Sequence, residues 1–442
     1  MATRVGLALA AEFAAGGSPL LDAATVYLVP LANPDAAARA LRGEAAWRGR
    51  PVDEDRDGRL DEDPAEDLDG DGLALQMRVP DPTGAWLADP EDPRAMREPD
   101  AAEGERGGFL LHSEGVDEDG DRAYNEDGPG GVRLEANWPH RWREHAADAG
   151  AFPLSEGPAK ALADFILERP NIAVVIVLGR EDGLADPPKG QDSSDKDSTE
   201  PREGDARLLK LLGERLHAGD DPKPRSADHG AGNFADWCYF QAGRLVLESA
   251  LWSPPLEGKD LDDEVKLLRW NDAVYDGAGF VDWSPFEHPQ LGAVEIGGWR
   301  PLARENPPME QIPALVERWS GFLGSLAADL PRLEWRKLEV RDLGEGLREA
   351  RVTLLNDRLL PTMGEMGAAT RTLLPVMVRL ELPEGGALLG GLERQSVTRL
   401  EGHGGHQEFR WLFQLPAGSD PAVVVAESQT AGRAQIALEV QG

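Results

Sequence analysis

The chain has 442 residues, more than one ordinary domain needs, so two domains are expected. A formal net charge of -34 excludes nucleic acid and anionic membrane surfaces as expected partners, because phosphate contacts require clustered Lys and Arg. The single cysteine, Cys238, excludes an internal disulfide, and no apolar stretch approaches the roughly 18 residues of a membrane-spanning helix.

The first predicted elements are a helix and a strand. Residues 1–17 are expected to form an amphipathic helix and not a signal peptide, because Glu12 interrupts the alanine-rich run and no clean cleavage site follows. The β-branched and apolar run 25–31 ends at an Asn-Pro-Asp sequence, which predicts a buried strand. The acidic region 44–131 interrupts any regular pattern after that strand.

A second helix and strand follow the acidic region. Ser155 is expected to cap a helix that ends before Pro170, and the continuously apolar run 171–178 predicts a strand covered on both faces. Beyond it we expect a flexible loop at 182–205, a helix at 206–217, a strand at 245–251 and a helix through 315–330. Strands that alternate with helices favour a mostly parallel sheet.

The pattern of apolar and polar residues changes past about Leu333. Short alternating runs, separated by Gly, Pro and Asp, predict a small antiparallel β-sandwich of immunoglobulin-like type. The expected domains are therefore 1–332 and 333–442. His403 and His406 lie in a Gly-rich turn of the second domain and are interpreted as a solvated pair, because a third and a fourth metal ligand are not nearby.

Two acidic stretches, within 53–72 and 117–127, repeat one ladder of carboxylates. Both ladders have offsets of 0, 2, 4, 8 and 10, and a half copy lies between them; the members are Asp53, Asp55, Asp57, Asp61, Asp63, then Asp67, Asp69, Asp71, then Asp117, Asp119, Asp121, Asn125 and Asp127. Such carboxylates repel one another unless a hard cation such as calcium, which takes six to eight oxygens, draws them together. The alternative is a solvated acidic linker.

The ladders are not helix-loop-helix calcium loops. The twelfth position of the first ladder is Pro64, where that motif needs a bidentate Glu, and Arg122 replaces the turn glycine of the second. They look more like the aspartate loops of extracellular calcium-binding repeats, in which the ion stabilises a stretch with few apolar residues. Calcium is therefore the predicted cofactor.

Several segments, in this order, resemble the zinc carboxypeptidase family, whose members are carboxypeptidase A-like. They are VYLVPLANPDA at 26–36, GGVRLEANWP at 130–139, FPLSEGPAKAL at 152–162, NIAVVIVLG at 171–179 and GAGNFADWCYFQAG at 230–243. The resemblance spans roughly residues 5–330 and implies an α/β fold, an α/β/α sandwich with a mixed eight-stranded sheet. It also implies a zinc cofactor and removal of the C-terminal residue of peptides, so peptide or protein C-termini are the expected partners.

The zinc site that the resemblance implies is largely missing from the sequence. The family binds zinc through His-x-x-Glu and a later His, but none of the eight histidines has Glu three positions on, and the later His falls at Gly179. The family's Asn-Arg pair falls on Glu135 and Ala136. No zinc ligand is therefore assigned.

Further positions are candidates for catalysis and substrate binding under the resemblance. The catalytic glutamate falls at Ala250 when counted forward from the Asp-Trp pair at 236–237, and at Glu295 when counted back from the helix that follows. Arg42 and Asn137 are the candidates for substrate binding.

The other reactive residues are interpreted as structural. His140 and His145 could share one side of a short helix with Glu144, but a partly exposed pair is favoured. Cys238 is expected to be buried and inert in an apolar strand; His229 and His288 lie in turns near the presumed cleft.

The sequence thus predicts a non-catalytic, zinc carboxypeptidase-like protein that acts as a calcium-stabilised binding or scaffold module. One alternative is an active zinc metallocarboxypeptidase whose His-x-x-Glu motif was lost through a truncated start. Another is a calcium-dependent extracellular adhesion protein. The calcium loops and the family favour an extracellular or periplasmic location, although the chain as given has no signal peptide. Nothing in the sequence predicts the oligomeric state.

Overall fold

The computed structural model describes residues 1–16, 18–41, 58, 66–118, 120, 124, 131–179, 181–191, 199–218 and 230–440. The described chain is α/β overall, with a β-rich C-terminal region. Its α-helices are α1 (Ala2–Ala15), α2 (Pro19–Ala23), α3 (Pro34–Leu41), α4 (Gly157–Leu167), α5 (Glu203–Leu216), α6 (Phe234–Asp236), α7 (Asp263–Tyr275), α8 (Ile312–Asp329) and α9 (Glu365–Thr370).

The described strands of the N-terminal part have two to nine residues. They are β1 (Gln76–Pro80), β2 (Leu87–Ala88), β3 (Met96–Arg97), β4 (Phe109–Ser113), β5 (Val174–Gly179), β6 (Leu245–Ala250), β7 (Phe280–His288) and β8 (Gly292–Trp299). The C-terminal part contains β9 (Glu334–Gly344), β10 (Leu347–Asn356), β11 (Val376–Glu381), β12 (Ala387–Gly390), β13 (Arg394–Val397), β14 (Gly405–Gln414), β15 (Ala422–Ser428) and β16 (Gly432–Leu438).

A parallel pair, β5 and β6, lies between two helical layers. Its register runs from Val174 opposite Leu245 to Gly179 opposite Ala250. The side chains of Leu245 and Leu247 enter a cluster with α1, α5 and α8, which we call the main cluster. Val246, between them, faces α4 and the aromatic segment 237–240 instead. Alternate side chains of the pair therefore pack against helices on opposite faces, as expected for buried parallel strands.

The other sheets of the N-terminal part are antiparallel. One has four strands in the order β4-β1-β8-β7, and β2 pairs with β3. Within the described ranges, these strands and the parallel pair do not join into the mixed eight-stranded sheet that the resemblance implies. One physical reason is that the buried strand predicted at 25–31 is wrong: this segment forms no strand with a described partner, and most of its large apolar side chains are exposed.

The C-terminal part is a β-sandwich. Two four-stranded antiparallel sheets have the orders β12-β14-β10-β9 and β13-β11-β15-β16. Apolar side chains from both sheets, including Val352, Trp411, Val378 and Val424, are buried in one cluster. The short alternating runs predicted past residue 333 are confirmed as strands, because each has one face in this core.

The sandwich contacts the N-terminal part through the linker that carries α9. Leu360 packs into the main cluster. Asp205 of α5 is buried and accepts hydrogen bonds from the backbone N–H of Glu365 at 2.9 Å, that of Met366 at 3.3 Å and the Tyr239 hydroxyl at 2.8 Å. Burial raises the pKa of this carboxyl, because the charged form is desolvated.

Several local predictions need correction. The N-cap of α4 is Glu156, and the Ser155 hydroxyl donates to the Glu156 carboxylate instead of capping the helix. Cys238 is buried as predicted, but it lies in a π-helical turn, Trp237–Gln241, and not in a strand. The helix expected at 206–217 begins at Glu203, so it takes in the end of the predicted loop. In the described residues, no helix is long and apolar enough to cross a membrane.

Candidate functional site

Asp67, Asp69 and Asp71 lie on one turn, residues 67–72, which we call the acidic loop. It comes shortly before β1. Asp67 accepts hydrogen bonds from the backbone N–H groups of Gly70, Asp71 and Gly72 at 2.7, 3.0 and 2.8 Å. Both glycines have positive φ, 76° and 91°, which lets the chain turn tightly around the Asp67 carboxylate.

The acidic loop brings three exposed carboxylates together. One oxygen from each of Asp67, Asp69 and Asp71 lies within 4.8 Å of the other two. The Asp69 carboxylate also accepts from Asp71 N–H at 3.0 Å, and the Asp71 carboxylate accepts from Leu73 N–H at 2.8 Å. These bonds hold the three carboxylates in one local arrangement.

The Glu114 carboxylate anchors the acidic loop through hydrogen bonds from backbone N–H groups. Glu114 directly follows β4, its side chain is fully buried, and it accepts from the backbone N–H groups of Leu68 and Leu75 at 2.8 Å and of Asp69 at 3.3 Å. Burial raises the pKa of Glu114 above its ordinary value, although these backbone donors favour the ionised form. The loop is thereby attached to the edge of the β4-β1-β8-β7 sheet.

This donor set suits a hard divalent cation. Carboxylate oxygens are the preferred ligands of calcium and magnesium, and the exposed position leaves room for water to complete the coordination. Arg78 stands where a helix-loop-helix motif would place its twelfth ligand, and it pairs with Glu295 instead, with its Nε 2.7 Å from that carboxylate. The geometry accommodates a metal ion without fixing which one.

Most other members of the ladders lie outside the described residues. This holds for Asp53, Asp55, Asp57, Asp61, Asp63, Asp119, Asp121, Asn125 and Asp127. Asp117 is described: its carboxylate accepts from Gly120 N–H at 2.6 Å, and its backbone exchanges two hydrogen bonds with the Gln290 side chain. It is therefore fixed to the turn between β7 and β8.

The resemblance would place zinc chemistry at the carboxyl ends of β5 and β6. The side chains at these two positions offer no atom that could bind a metal. Gly179 and Ala250 lie opposite each other at the carboxyl ends of the parallel pair. Glycine and alanine side chains offer no metal ligand or general base. A zinc site of the family's kind does not fit these residues.

A buried polar cluster lies just beyond those strand ends. Asp182 accepts from the Ser249 hydroxyl at 2.9 Å, and His217 Nε2 lies 3.4 Å from the other oxygen of Asp182. All three side chains are buried. The serine donates to the carboxylate and not to the histidine, so the arrangement is not that of a nucleophile activated by a base. We interpret it as a structural network that ties α5 to the sheet.

The other candidate residues have structural partners. Asn137 is buried; its amide donates to Ala149 O at 2.7 Å, and its oxygen accepts from Glu156 N–H at 3.1 Å. Glu295 is held in the ion pair with Arg78, and the backbone N–H of Phe234 donates to Glu135 at 2.9 Å. A substrate-binding role for Asn137 and a catalytic role for Glu295 stay predictions, and Arg42 lies outside the described residues.

The histidines are dispersed. His140 is buried and stacks on Phe240 at 4.4 Å, whereas the His145 side chain is exposed, so these two do not converge. His288 is buried, with Nε2 2.8 Å from Gly115 O. His406 is in contact with its own turn through Gly404 O, and His229 lies outside the described residues.

Sequence reasoning missed Glu114. It contacts Leu68, 46 residues earlier in the chain, and no spacing rule connects positions so far apart. A charged residue directly after the apolar strand β4 was the one local signal that could have drawn attention to it.

Comparisons with known proteins add little about function. Residues 332–439 match a family described as a domain of unknown function (DUF8731). No curated protein matches the chain. Among solved structures, β-glucosidase 3B from Thermotoga neapolitana in complex with α-D-glucose aligns at 11% identity and a TM-score of 0.13, over 66% of this chain and 55% of that chain. A TM-score so low carries no argument about fold or function, and the alignment spans about half of that enzyme.

Proposed function

We propose that this protein is a non-catalytic, zinc carboxypeptidase-like protein that serves as a calcium-stabilised binding or scaffold module. The observation that carries the proposal is the acidic loop, in which the oxygens of Asp67, Asp69 and Asp71 lie within 4.8 Å of one another. Bringing three carboxylates together is unfavourable without a cation, and calcium accepts oxygen ligands in flexible geometry.

Calcium at this loop would act on folding and not on chemistry. The loop has one apolar side chain, Leu68, which packs against the core of the sheet, and the buried Glu114 carboxylate accepts hydrogen bonds from the loop backbone. A bound cation would cancel the repulsion among the carboxylates and add ligand bonds that exist only in the folded chain. The proposed result is a stiffened entry into β1.

The non-catalytic part of the proposal rests on the strand ends of the parallel pair. The two positions where the resemblance expects a zinc-binding histidine and a catalytic glutamate are Gly179 and, in one register, Ala250. They lie opposite each other in the ladder, as two residues of one site would, but neither supplies a functional group. Three ligands and an open position, which catalytic zinc requires, are not available there.

The proposal also covers the folds of the two domains. Helices on both faces of the parallel pair support a carboxypeptidase-like α/β/α domain over 1–332. Two stacked four-stranded sheets support an immunoglobulin-like sandwich over 333–442. Peptide or protein C-termini are the proposed partners, at an extracellular or periplasmic location where calcium is abundant.

Peptide hydrolysis with zinc supplied tests whether the chain is catalytic. The purified chain is incubated with one peptide that has a free C-terminus and with the same peptide amidated at its C-terminus. The proposal expects no release of a C-terminal residue from either peptide. Turnover of the free peptide alone, together with one retained zinc per chain, would overturn the non-catalytic assignment and favour an active metallocarboxypeptidase.

A further inference from the structure

The connection between β10 and β11, residues 357–375, extends from the sandwich into the N-terminal part, and we call it the arm. It joins the two sheets of the sandwich and lies within the range 332–439 that matches the domain of unknown function. Leu359 and Leu360 are buried in the main cluster, whereas Met366 is buried in the cluster of α4 and the aromatic segment 237–240. The arm therefore supplies core side chains to both helical layers of the N-terminal part.

The arm also bonds to backbone groups at the ends of two N-terminal helices. The last carbonyls and the first N–H groups of a helix have no partner within the helix itself. At the carboxyl end of α8, the N–H of Leu360 donates to Asp329 O at 2.9 Å. At the amino end of α5, the N–H of Gly204 donates to the Glu365 carboxylate at 2.9 Å. Groups that α5 and α8 cannot satisfy internally are thus satisfied by the arm.

The capping of α5 and α9 is reciprocal. Asp205, in the first turn of α5, accepts from the N–H groups of Glu365 and Met366, the first two residues of α9. Neither helix receives a side-chain cap from its own N-cap residue, which is Arg202 in α5 and Gly364 in α9. Side chains that accept from first-turn N–H groups stabilise a helix. Each of these helices is therefore completed by a side chain of the other part of the chain.

Two glycines let the backbones of the two parts touch. A Cβ on Gly367 of α9 would lie 2.6 Å from Gly243 O, and a Cβ on Gly243 would lie 2.9 Å from Gly367 Cα. Gly243 also has a φ of 67°, which favours glycine. Because Gly243 directly precedes β6, the arm docks at the amino end of the parallel pair, away from Gly179 and Ala250.

Hydrogen bonds within the sandwich hold the arm in this shape. The N–H of Leu400 donates to the Thr362 hydroxyl at 3.0 Å, and the N–H of Thr362 donates back to Leu400 O at 3.0 Å. The buried amide of Asn356 donates to Leu360 O at 2.8 Å. The arm is thus presented to the N-terminal part by the folded sandwich.

We propose that the sandwich is a folding clamp for the N-terminal part of its own chain, so that the two parts fold and unfold as one cooperative unit. Without the arm, the helical layers would expose the apolar surface that Leu360 and Met366 cover, and the ends of α5 and α8 would lose partners. Domains of one chain move independently unless their interface is large and apolar, and this interface enters both cores. The clamp uses no residue of the acidic loop, so its tests are run in chelator and their outcomes do not depend on calcium.

The first test asks whether a defect in the sandwich reaches the N-terminal part. Leu380→Ala removes a 2% exposed side chain from the core of the sandwich, outside the arm, and hydrogen exchange of the full chain is followed by mass spectrometry. The clamp predicts that the slowest amides of α1, α8 and β14 all exchange faster by the same factor, about thirtyfold or more. Faster exchange in β14 alone would overturn the proposal.

The second test asks whether the arm carries the coupling. Leu360→Ala removes an arm side chain from the main cluster, and Leu374→Ala is the matched control, because it makes the same change on the same arm at a 62% exposed side chain. In calorimetry of the full chain, Leu360→Ala is expected to lower Tm by about 2 to 5 °C within a single transition, and Leu374→Ala by less than about 1 °C.

Equal Tm shifts in the two variants, or separate transitions for the two parts of the wild type, would contradict the clamp. If Leu360→Ala does not fold, the milder pair Leu360→Val and Leu374→Val gives the same comparison. The buried substitution should then still lower Tm more than the exposed one, and equal shifts in this pair would also count against the proposal.

Discussion

Asp71→Asn is the sharpest test of the acidic loop. The Asp71 carboxylate accepts a hydrogen bond from Leu73 N–H at 2.8 Å, and the amide oxygen of Asn can accept the same bond. The substitution therefore preserves the turn while it removes one of the three charges that would bind calcium. It is expected to lower the calcium-dependent part of the stability and to change the calcium-free stability little.

The size of the effect follows from linkage. Calcium at about 100 times its Kd stabilises the folded chain by about 2.7 kcal/mol. Unfolding entropy near 2.1 cal/mol/K per residue gives about 0.9 kcal/mol/K for a chain of 442 residues, so Tm should rise by about 3 °C. If the lost charge weakens calcium binding about tenfold, the stabilisation falls to about 1.4 kcal/mol and the Tm shift to about half.

The assay is differential scanning calorimetry in chelator and in excess calcium. Asp100→Asn is the matched control, because Asp100 is also exposed and also accepts from a backbone N–H two residues on, that of Ala102 at 2.8 Å, but lies outside the acidic loop. The control should keep the full calcium shift. A full shift in Asp71→Asn, or an equal loss in both variants, would refute the reasoning.

Three further predictions concern buried groups and can be checked with standard assays. Glu114→Ala should lower the free energy of unfolding in urea by about 2 to 4 kcal/mol, because three backbone N–H groups lose their acceptor; an unchanged midpoint would contradict the anchoring role. Burial raises the pKa of Asp205, so the folded chain holds that proton more tightly than the unfolded chain, and this contribution to stability is present below the unfolded pKa near 4 and is lost as pH rises through the folded value. Asp205→Asn does not titrate, so the fall in stability that Asp205 contributes as pH rises above about 4 should be absent when the variant is unfolded in urea; the same pH dependence in both proteins would argue against it. Burial also raises the pKa of the Cys238 thiol, so a disulfide reagent at pH 8 should label it only after denaturation, and rapid labelling of the native chain would contradict its placement.

Long periodic patterns are the parts of this fold that the sequence predicted well. The helix over 1–17, the strand over 245–251 and six of the eight strands of the C-terminal part were predicted, because each repeats an apolar residue with the period of its element. The strands β1 to β4 were missed. They are two to five residues long and lie within an acidic region whose side chains give no period to detect.

The pairing of strands was predicted less well than the local secondary structure. The run 25–31 was predicted to be a buried strand from its composition, and that was wrong: the segment is not a strand and is largely exposed, because composition does not specify a neighbour to pair with. Cys238 was assigned to a strand because its neighbours are apolar and aromatic; those residues instead form a π-helical turn packed under α4. Apolar content alone does not distinguish a short buried helix from a strand.

The candidate site was predictable in part. The Asp-x-Asp-x-Asp-Gly spacing identified the acidic loop, because local hydrogen bonds within six residues set its shape. Glu114, which holds that loop, could not be predicted, since its contact depends on how β4 pairs with β1. The resemblance also suggested where zinc chemistry would lie, and that part stays a prediction.

Metal analysis after dialysis tests most directly whether the acidic loop is a calcium site in a non-catalytic chain. Wild type and the triple variant Asp67→Asn, Asp69→Asn, Asp71→Asn are dialysed against calcium and zinc together, and both metals are then counted per chain. We predict one calcium fewer in the variant than in the wild type, and no stoichiometric zinc in either protein. Equal calcium in both, or one zinc per wild-type chain, would contradict the proposal.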